Sequence, residues 1–123
     1  MTTLSNATTC AFIATKNRVS AKAFYGGTLG FPLISEDEYG VVYKMGAANL
    51  RITPLPDFTP HQHTALGWNV DDVPGTVKAL AAAGITFERY SFLEQDELGI
   101  WKSGTAAVAW FKDPDGNILS ISG

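Results

Sequence analysis

Trp110-Phe111-Lys112-Asp113-Pro114-Asp115-Gly116-Asn117-Ile118-Leu119-Ser120-Ile121-Ser122 is two apolar runs joined by a turn. Proline presets φ at about −65°, glycine accepts positive φ, and Asp and Asn side chains bond their own local backbone, so residues 113–117 predict a tight β-hairpin. Side chains alternate between the faces of a strand. Val108, Trp110 and Lys112 therefore share one face of the first strand, and Ala107, Ala109 and Phe111 the other. In the second strand Leu119 and Ile121 form an apolar face, and Ile118, Ser120 and Ser122 a mixed one. The apolar face needs a helix over it. A mixed face carrying Trp and Ser suits the lining of a cavity.

Upstream of the hairpin, 91–105 reads as a long loop and 85–90 as a strand. Asp71, Asp72 and Pro74 open a helix with Val73, Val77, Leu80 and Ala81 as its buried stripe and Gly84 as its end, and 64–70 is the strand before it. The first half repeats this order. An apolar run at 10–14 leads to a helix over 18–29, capped by Asn17, striped by Ala21, Phe24, Tyr25 and Leu29, and ended by Gly30. Gly26-Gly27 weakens that helix by about 1 kcal/mol per glycine. Strands over 31–35, 41–45 and 49–53 follow, with Glu36, Asp37 and Glu38 as a solvated tip.

Gly30-Phe31 then matches Gly84-Ile85, an internal duplication with a period of roughly 55 residues. The prolines at 54, 56 and 60 mark 54–63 as a linker. The expected architecture is α+β: one domain over 1–123, built from two βαβββ repeats at about 9–54 and about 64–122. Together they would form a curved mixed sheet with helices on its convex side and a concave cleft.

A net charge of −3 with no basic cluster argues against nucleic acid or an anionic membrane as the main partner. The single cysteine, Cys10, cannot form an intrachain disulfide, and no apolar run approaches the roughly 20 residues a membrane span needs. Met-Thr-Thr-Leu-Ser at the start lacks the pattern of a signal peptide, so the expected location is the cytoplasm.

This layout, with Ala23-Phe24-Tyr25, Leu29-Gly30-Phe31 and Phe111-Lys112-Asp113-Pro114-Asp115-Gly116-Asn117, resembles the vicinal-oxygen-chelate superfamily. That superfamily includes glyoxalase I, extradiol dioxygenases, and the fosfomycin- and bleomycin-resistance proteins. Gln95-Asp96-Glu97-Leu98-Gly99-Ile100-Trp101 followed by Val108-Ala109-Trp110-Phe111 is similar to a bacterial subgroup labelled glyoxalase/bleomycin-resistance-like. Metal-dependent members hold their ion with His, Gln and Glu on the first and last strand of each repeat. The resemblance puts Cys10, Arg51, Ala65 and Ser120 at those positions. Arginine keeps its proton and repels a cation, alanine has no donor atom, and serine is a poor ligand, so neither a metal nor another cofactor is expected. His61 and His63 lie just upstream of the third position and read as exposed loop residues.

The same resemblance implies a concave surface bearing Cys10, Phe12, Asn49, Arg51, Thr53, Ala65, Gly67, Asn69, Trp110 and Ser120. Trp110 stands where fosfomycin-resistance relatives carry a substrate-contacting aromatic. It either stacks on a ligand or fills the cup of the sheet. Arg51 either forks onto a carboxylate or phosphate, or is a surface or interface charge. Trp101 would cover the cleft or pack in a subunit contact, and Trp68 would be core. The candidate ligand-binding residues are Trp110, Arg51, Trp101, Asn49, Thr53, Asn69, Ser120 and Cys10, the last with little support as a nucleophile. The expected function is metal-independent binding or sequestration of a small aromatic or anionic molecule by a homodimer. The alternatives are a lyase or isomerase of the glyoxalase class using an atypical site or metal, and a cleft that receives another protein.

Overall fold

Both halves of the chain build the same four-stranded sheet. The computed structural model describes residues 3–123. The chain divides into two units, Met1–Thr59 and Pro60–Gly123, and the division falls inside the proline-bearing stretch 54–63. The first unit runs β1 (Cys10–Thr15), α1 (Arg18–Lys22), β2 (Leu33–Asp37), β3 (Gly40–Met45) and β4 (Ala48–Pro54). The second runs β5 (Thr64–Asn69), α2 (Val73–Ala82), β6 (Trp101–Ser103), β7 (Ala106–Lys112) and β8 (Ile118–Ser122). Strand orders are β1-β4-β3-β2 and β5-β8-β7-β6. In each, the first strand lies parallel to the last and the other pairs are antiparallel. The fold is α+β, with two βαβββ modules.

In the first unit, register sets Ile13 beside Ile52 and Ile52 beside Val41, and all three are buried with Leu50, Tyr43, Ala21 and Tyr25. Asn17 caps α1 by accepting from the Ser20 amide at 3.1 Å. The helix expected to reach residue 29 stays α-helical only to Lys22, and Ala23–Thr28 then winds as a π-helix, in which the Leu29 amide donates to the Phe24 carbonyl at 2.8 Å. Gly26 lies against Tyr43: a Cβ there would stand 3.0 Å from the phenol oxygen. The glycine that weakens the helix is what lets it approach this ring.

β2 begins two residues later than expected and extends through Asp37, whose Oδ1 accepts from the Tyr39 and Gly40 amides at 2.9 and 3.1 Å and so makes the turn. Glu36 is exposed as expected, but it lies in β2 rather than in the turn. Its carboxylate pairs with Lys22 Nζ at 2.7 Å and with Arg18 at 3.8 Å.

Burial pushes the Tyr43 phenol above its usual range; nearby Lys22 opposes the shift and Glu36 adds to it. A group whose folded pKa is raised contributes stability that is complete below its unfolded value, about 10 for tyrosine, and is lost as pH climbs through the folded value. The fall in urea midpoint from about pH 8 to about pH 11 should therefore be smaller for Tyr43→Phe than for the unsubstituted protein. Equal falls would remove Tyr43 from the alkaline transition.

In the second unit, Asp72 caps α2 by accepting from the Gly75 amide at 3.0 Å. The helix closes around Gly84 (φ +101°), with the Ile85 amide donating to the Leu80 carbonyl and the Gly84 amide to the Ala81 carbonyl, both at 3.0 Å. Gly30 (φ +77°) repeats the device, and the Phe31 amide donates back to the Tyr25 carbonyl at 3.1 Å, so the Gly30-Phe31 and Gly84-Ile85 correspondence holds. The buried stripe of α2 is narrower than expected. Val73 and Val77 are buried, Leu80 is half-buried, and Ala81 in the last turn is exposed.

Residues 85–90 do not form the expected strand. Phe87 makes one isolated bridge to Phe111, and the Glu88 amide donates to the Trp110 carbonyl at 2.8 Å. The Gln95 side chain takes up neighbouring backbone groups instead: its Oε1 accepts from the Tyr90 amide at 2.8 Å, and its Nε2 donates to the Glu88 and Gly99 carbonyls at 3.0 and 2.7 Å. The edge strand is β6, inside the stretch read as loop. No helix among the described residues is long and apolar enough to cross a membrane.

Candidate functional site

The hairpin closing the chain sets the geometry of the second unit. Asp113 is 5% exposed, and its Oδ1 accepts from the Asp115 and Asn117 amides, both at 2.9 Å. Its Oδ2 accepts from Asn117 Nδ2 at 2.8 Å, and Gly116 sits at φ +89°. This turn pairs Lys112 with Ile118, Trp110 with Ser120, and Val108 with Ser122. The faces fall as alternation predicts. Ala109, Phe111, Leu119 and Ile121 are buried on the side of β7 and β8 that meets α2, with Trp68 stacked on Phe111 at 6.3 Å. Trp110, Lys112, Ile118 and Ser120 lie on the other side.

β5 joins that second face through Gly67, opposite Ser120, and Asn69, opposite Ser122. A Cβ at Gly67 would fall 2.5 Å from the Ser120 hydroxyl, so glycine leaves room for that group. Register shifts between Thr64 and Leu66, which makes Ala65 the extra residue of a bulge and turns Thr64 toward Ile118.

A pocket of about 420 Å³ opens on this face. Trp110 meets Tyr90 edge-on at 5.7 Å between ring centroids, and Tyr90 meets Phe92 at 5.6 Å. These three rings, with Leu93 and Ile118, form the apolar lining, and Gln62, His63, Thr64 and Lys112 supply the polar part. Phe92 is 80% exposed despite its size. Lys112 Nζ lies 3.6 Å from Glu88 Oε1, a partly exposed pair. Burial raises the Tyr90 phenol above its usual range, with Glu88 adding and Lys112 opposing, so the hydroxyl keeps its proton at neutral pH and can donate.

Of the candidate residues, Trp110 lines the pocket, and Ser120 and Asn69 share its face. Trp101 packs against Trp110 with centroids 6.3 Å apart. Cys10, Asn49, Arg51 and Thr53 belong to the first unit, where they share one face of β1 and β4: Cys10 pairs with Asn49, Phe12 with Arg51, and Ala14 with Thr53. Cys10 is exposed, and half-buried Arg51 has no ion-pair partner among the described residues. Sequence reasoning missed Tyr90, Phe92 and Lys112 as pocket residues. Lys112 was within reach, because alternation already put it on the face of Trp110. Tyr90 and Phe92 were not, because their placement depends on Gln95 bonding backbone.

The donors do not suit a divalent cation. Among the described residues, no three His, Cys, Asp or Glu side chains gather. The positions the resemblance assigns to ligands carry an arginine, an alanine without donor atoms, a serine and one thiol. His61 and His63 stack at 5.1 Å, and His63 Nδ1 lies 3.1 Å from the Thr64 carbonyl, yet two imidazoles are short of the usual three or four protein donors.

The family model described as Glyoxalase/Bleomycin resistance protein/Dioxygenase superfamily matches residues 8–121. A protein of Vibrio parahaemolyticus named probable lactoylglutathione lyase is 32% identical over 104 residues, covering 85% of this chain and 68% of its own length. Among solved structures, a glyoxalase family protein from Enterococcus faecalis superposes with a TM-score of 0.69 at 21% identity, covering 94% of each chain. A lactoylglutathione lyase from Agrobacterium tumefaciens superposes with a TM-score of 0.68 at 17% identity, covering 95% of this chain and 92% of its own. At such identities the structural likeness speaks for the fold alone.

Proposed function

The chain belongs to the Glyoxalase/Bleomycin resistance protein/Dioxygenase superfamily, and from that premise we propose that it binds a small aromatic or anionic molecule without the help of a metal. The observation that carries this reading is the pocket of about 420 Å³ walled by Trp110, Tyr90 and Phe92. Its size falls within the about 300–1,000 Å³ usual for small-molecule sites, and its mixture of aromatic lining with a few polar groups is the usual composition of one. Arg51, Asn49, Thr53 and Cys10 share one face of β1 and β4 in the first unit and are proposed as a separate candidate surface there. The family match spans both units, which supports treating 1–123 as one functional domain.

The test is metal content. Protein incubated with Ni²⁺, Zn²⁺ or Mn²⁺ and then desalted should retain far less than one equivalent by elemental mass spectrometry. Retention of one equivalent per chain, lost in His63→Ala, would overturn metal independence. It would favour a lyase or isomerase, the reading that the name of the Vibrio relative supports. The protein is also proposed to be a homodimer: Phe12, 65% exposed, stands on the face of β1 and β4 that carries Arg51, and a subunit contact would cover that large apolar side chain. Light scattering coupled to size-exclusion chromatography should give the dimer mass, and a monomer mass would remove that assignment.

A further inference from the structure

The pocket of the second unit contains both elements that an aromatic acid requires, and this inference rests on the binding role proposed above. Three rings supply flat apolar contact. Phe92 stands 80% exposed at the pocket although it is one of the largest apolar side chains in the chain, and a ligand would cover part of that surface. The cation is Lys112. Alternation along β7 places it two residues from Trp110 on the same side of the strand, and pairing with Ile118 holds it at the pocket wall.

Its present partner is weak. Lys112 Nζ stands 3.6 Å from Glu88 Oε1, beyond the distance of a good charge-assisted hydrogen bond, and both side chains are partly exposed. Glu88 does not line the pocket, whereas Lys112 does. An ammonium on a flexible stem can turn from that carboxylate to one brought by a ligand at little cost. Tyr90, whose phenol keeps its proton, is a second donor at the same wall. No carboxylate side chain lines the pocket to repel an incoming anion.

We infer that this pocket selects flat aromatic carboxylates, with the ring held by Trp110, Tyr90 and Phe92 and the carboxylate held by Lys112, which exchanges Glu88 for the ligand. Arg51, in the other unit, is then not the residue that reads the charge.

The experiment compares 2-naphthoate with its uncharged analogue 2-naphthamide by isothermal titration calorimetry. The intact protein should bind the acid about tenfold more tightly than the amide, the scale of one charge-assisted hydrogen bond. Lys112→Gln should erase that preference by weakening the acid about tenfold more than the amide, and Lys112→Arg should restore it. Glu88→Gln removes the competing carboxylate and should tighten acid binding about threefold. A merely structural Lys112–Glu88 pair would instead make Lys112→Gln and Glu88→Gln move both probes in the same direction.

Equal binding of acid and amide, or a preference that survives Lys112→Gln and disappears in Arg51→Ala, would overturn the assignment to Lys112 while leaving small-molecule binding intact. Failure of the intact, folded protein to bind either probe would overturn both this inference and the binding role of the pocket.

Discussion

Trp110→Ala should lower the affinity for 2-naphthoate at least thirtyfold, about 2 kcal/mol, while costing only about 1 kcal/mol of folding stability. The asymmetry follows from where the ring sits. Trp110 is half-buried and touches Tyr90 and Trp101, and it forms part of a pocket wall. The core of the second unit lies on the opposite face of the same strand, where Ala109 and Phe111 are fully buried, and truncation at 110 leaves that packing untouched. For a ligand the loss is concentrated: the indole offers a flat surface, and its edge-on contact with Tyr90 holds the second ring in place. Calorimetric titration together with thermal unfolding of the same variant measures both quantities. A fall in melting temperature with unchanged affinity would make Trp110 a core residue and would leave Tyr90 and Phe92 to form the pocket alone.

Local rules carried the sequence a long way wherever one residue type determines the backbone. Asn17, Asp72, Gly30, Gly84 and the Asp113–Asn117 turn were legible because each acts within a few residues of itself. The duplication was legible for the same reason, since two glycine-ended helices at matching places imply two copies of one module. What escaped depends on contacts that alternation cannot see. The π-helical turn at Ala23–Thr28 accompanies the packing of Gly26 against Tyr43, whose strand lies well downstream. Residues 85–90 carry a strand-like pattern, but the Gln95 side chain occupies the neighbouring backbone groups. The edge therefore passes to Trp101–Ser103. The candidate site divided along the same line. Period-two counting set Trp110 and Ser120 on the faces of their strands opposite the buried ones, and the resemblance put Asn69 with them, whereas Tyr90 and Phe92 reach the pocket on a segment whose course a side-chain hydrogen bond decides.

Asp113→Ala should be the most damaging polar substitution in the second unit, lowering stability by about 3 kcal/mol, with Asp113→Asn costing about half as much. One carboxylate that is 5% exposed accepts from two backbone amides and one side-chain amide, and Asn117, at 6% exposed, is nearly as far from solvent. Removing the acceptor strands those donors where water reaches them poorly, at about 1–3 kcal/mol for each group left unsatisfied, moderated by relaxation of the turn. Asparagine keeps the Oδ1 acceptor and the two backbone bonds but sets one amide nitrogen against another where Asn117 now donates. The turn also sets the pairing of Lys112 with Ile118 and Trp110 with Ser120, so its loss reaches the pocket. At a temperature where Asp113→Ala is still folded, its affinity for 2-naphthoate should already be reduced. Urea denaturation of the three proteins, paired with titration well below each midpoint, separates the two effects. A variant as stable as its parent would mean that water or the neighbouring backbone satisfies those amides, and that the Pro114–Gly116 backbone alone is enough to hold the hairpin in register.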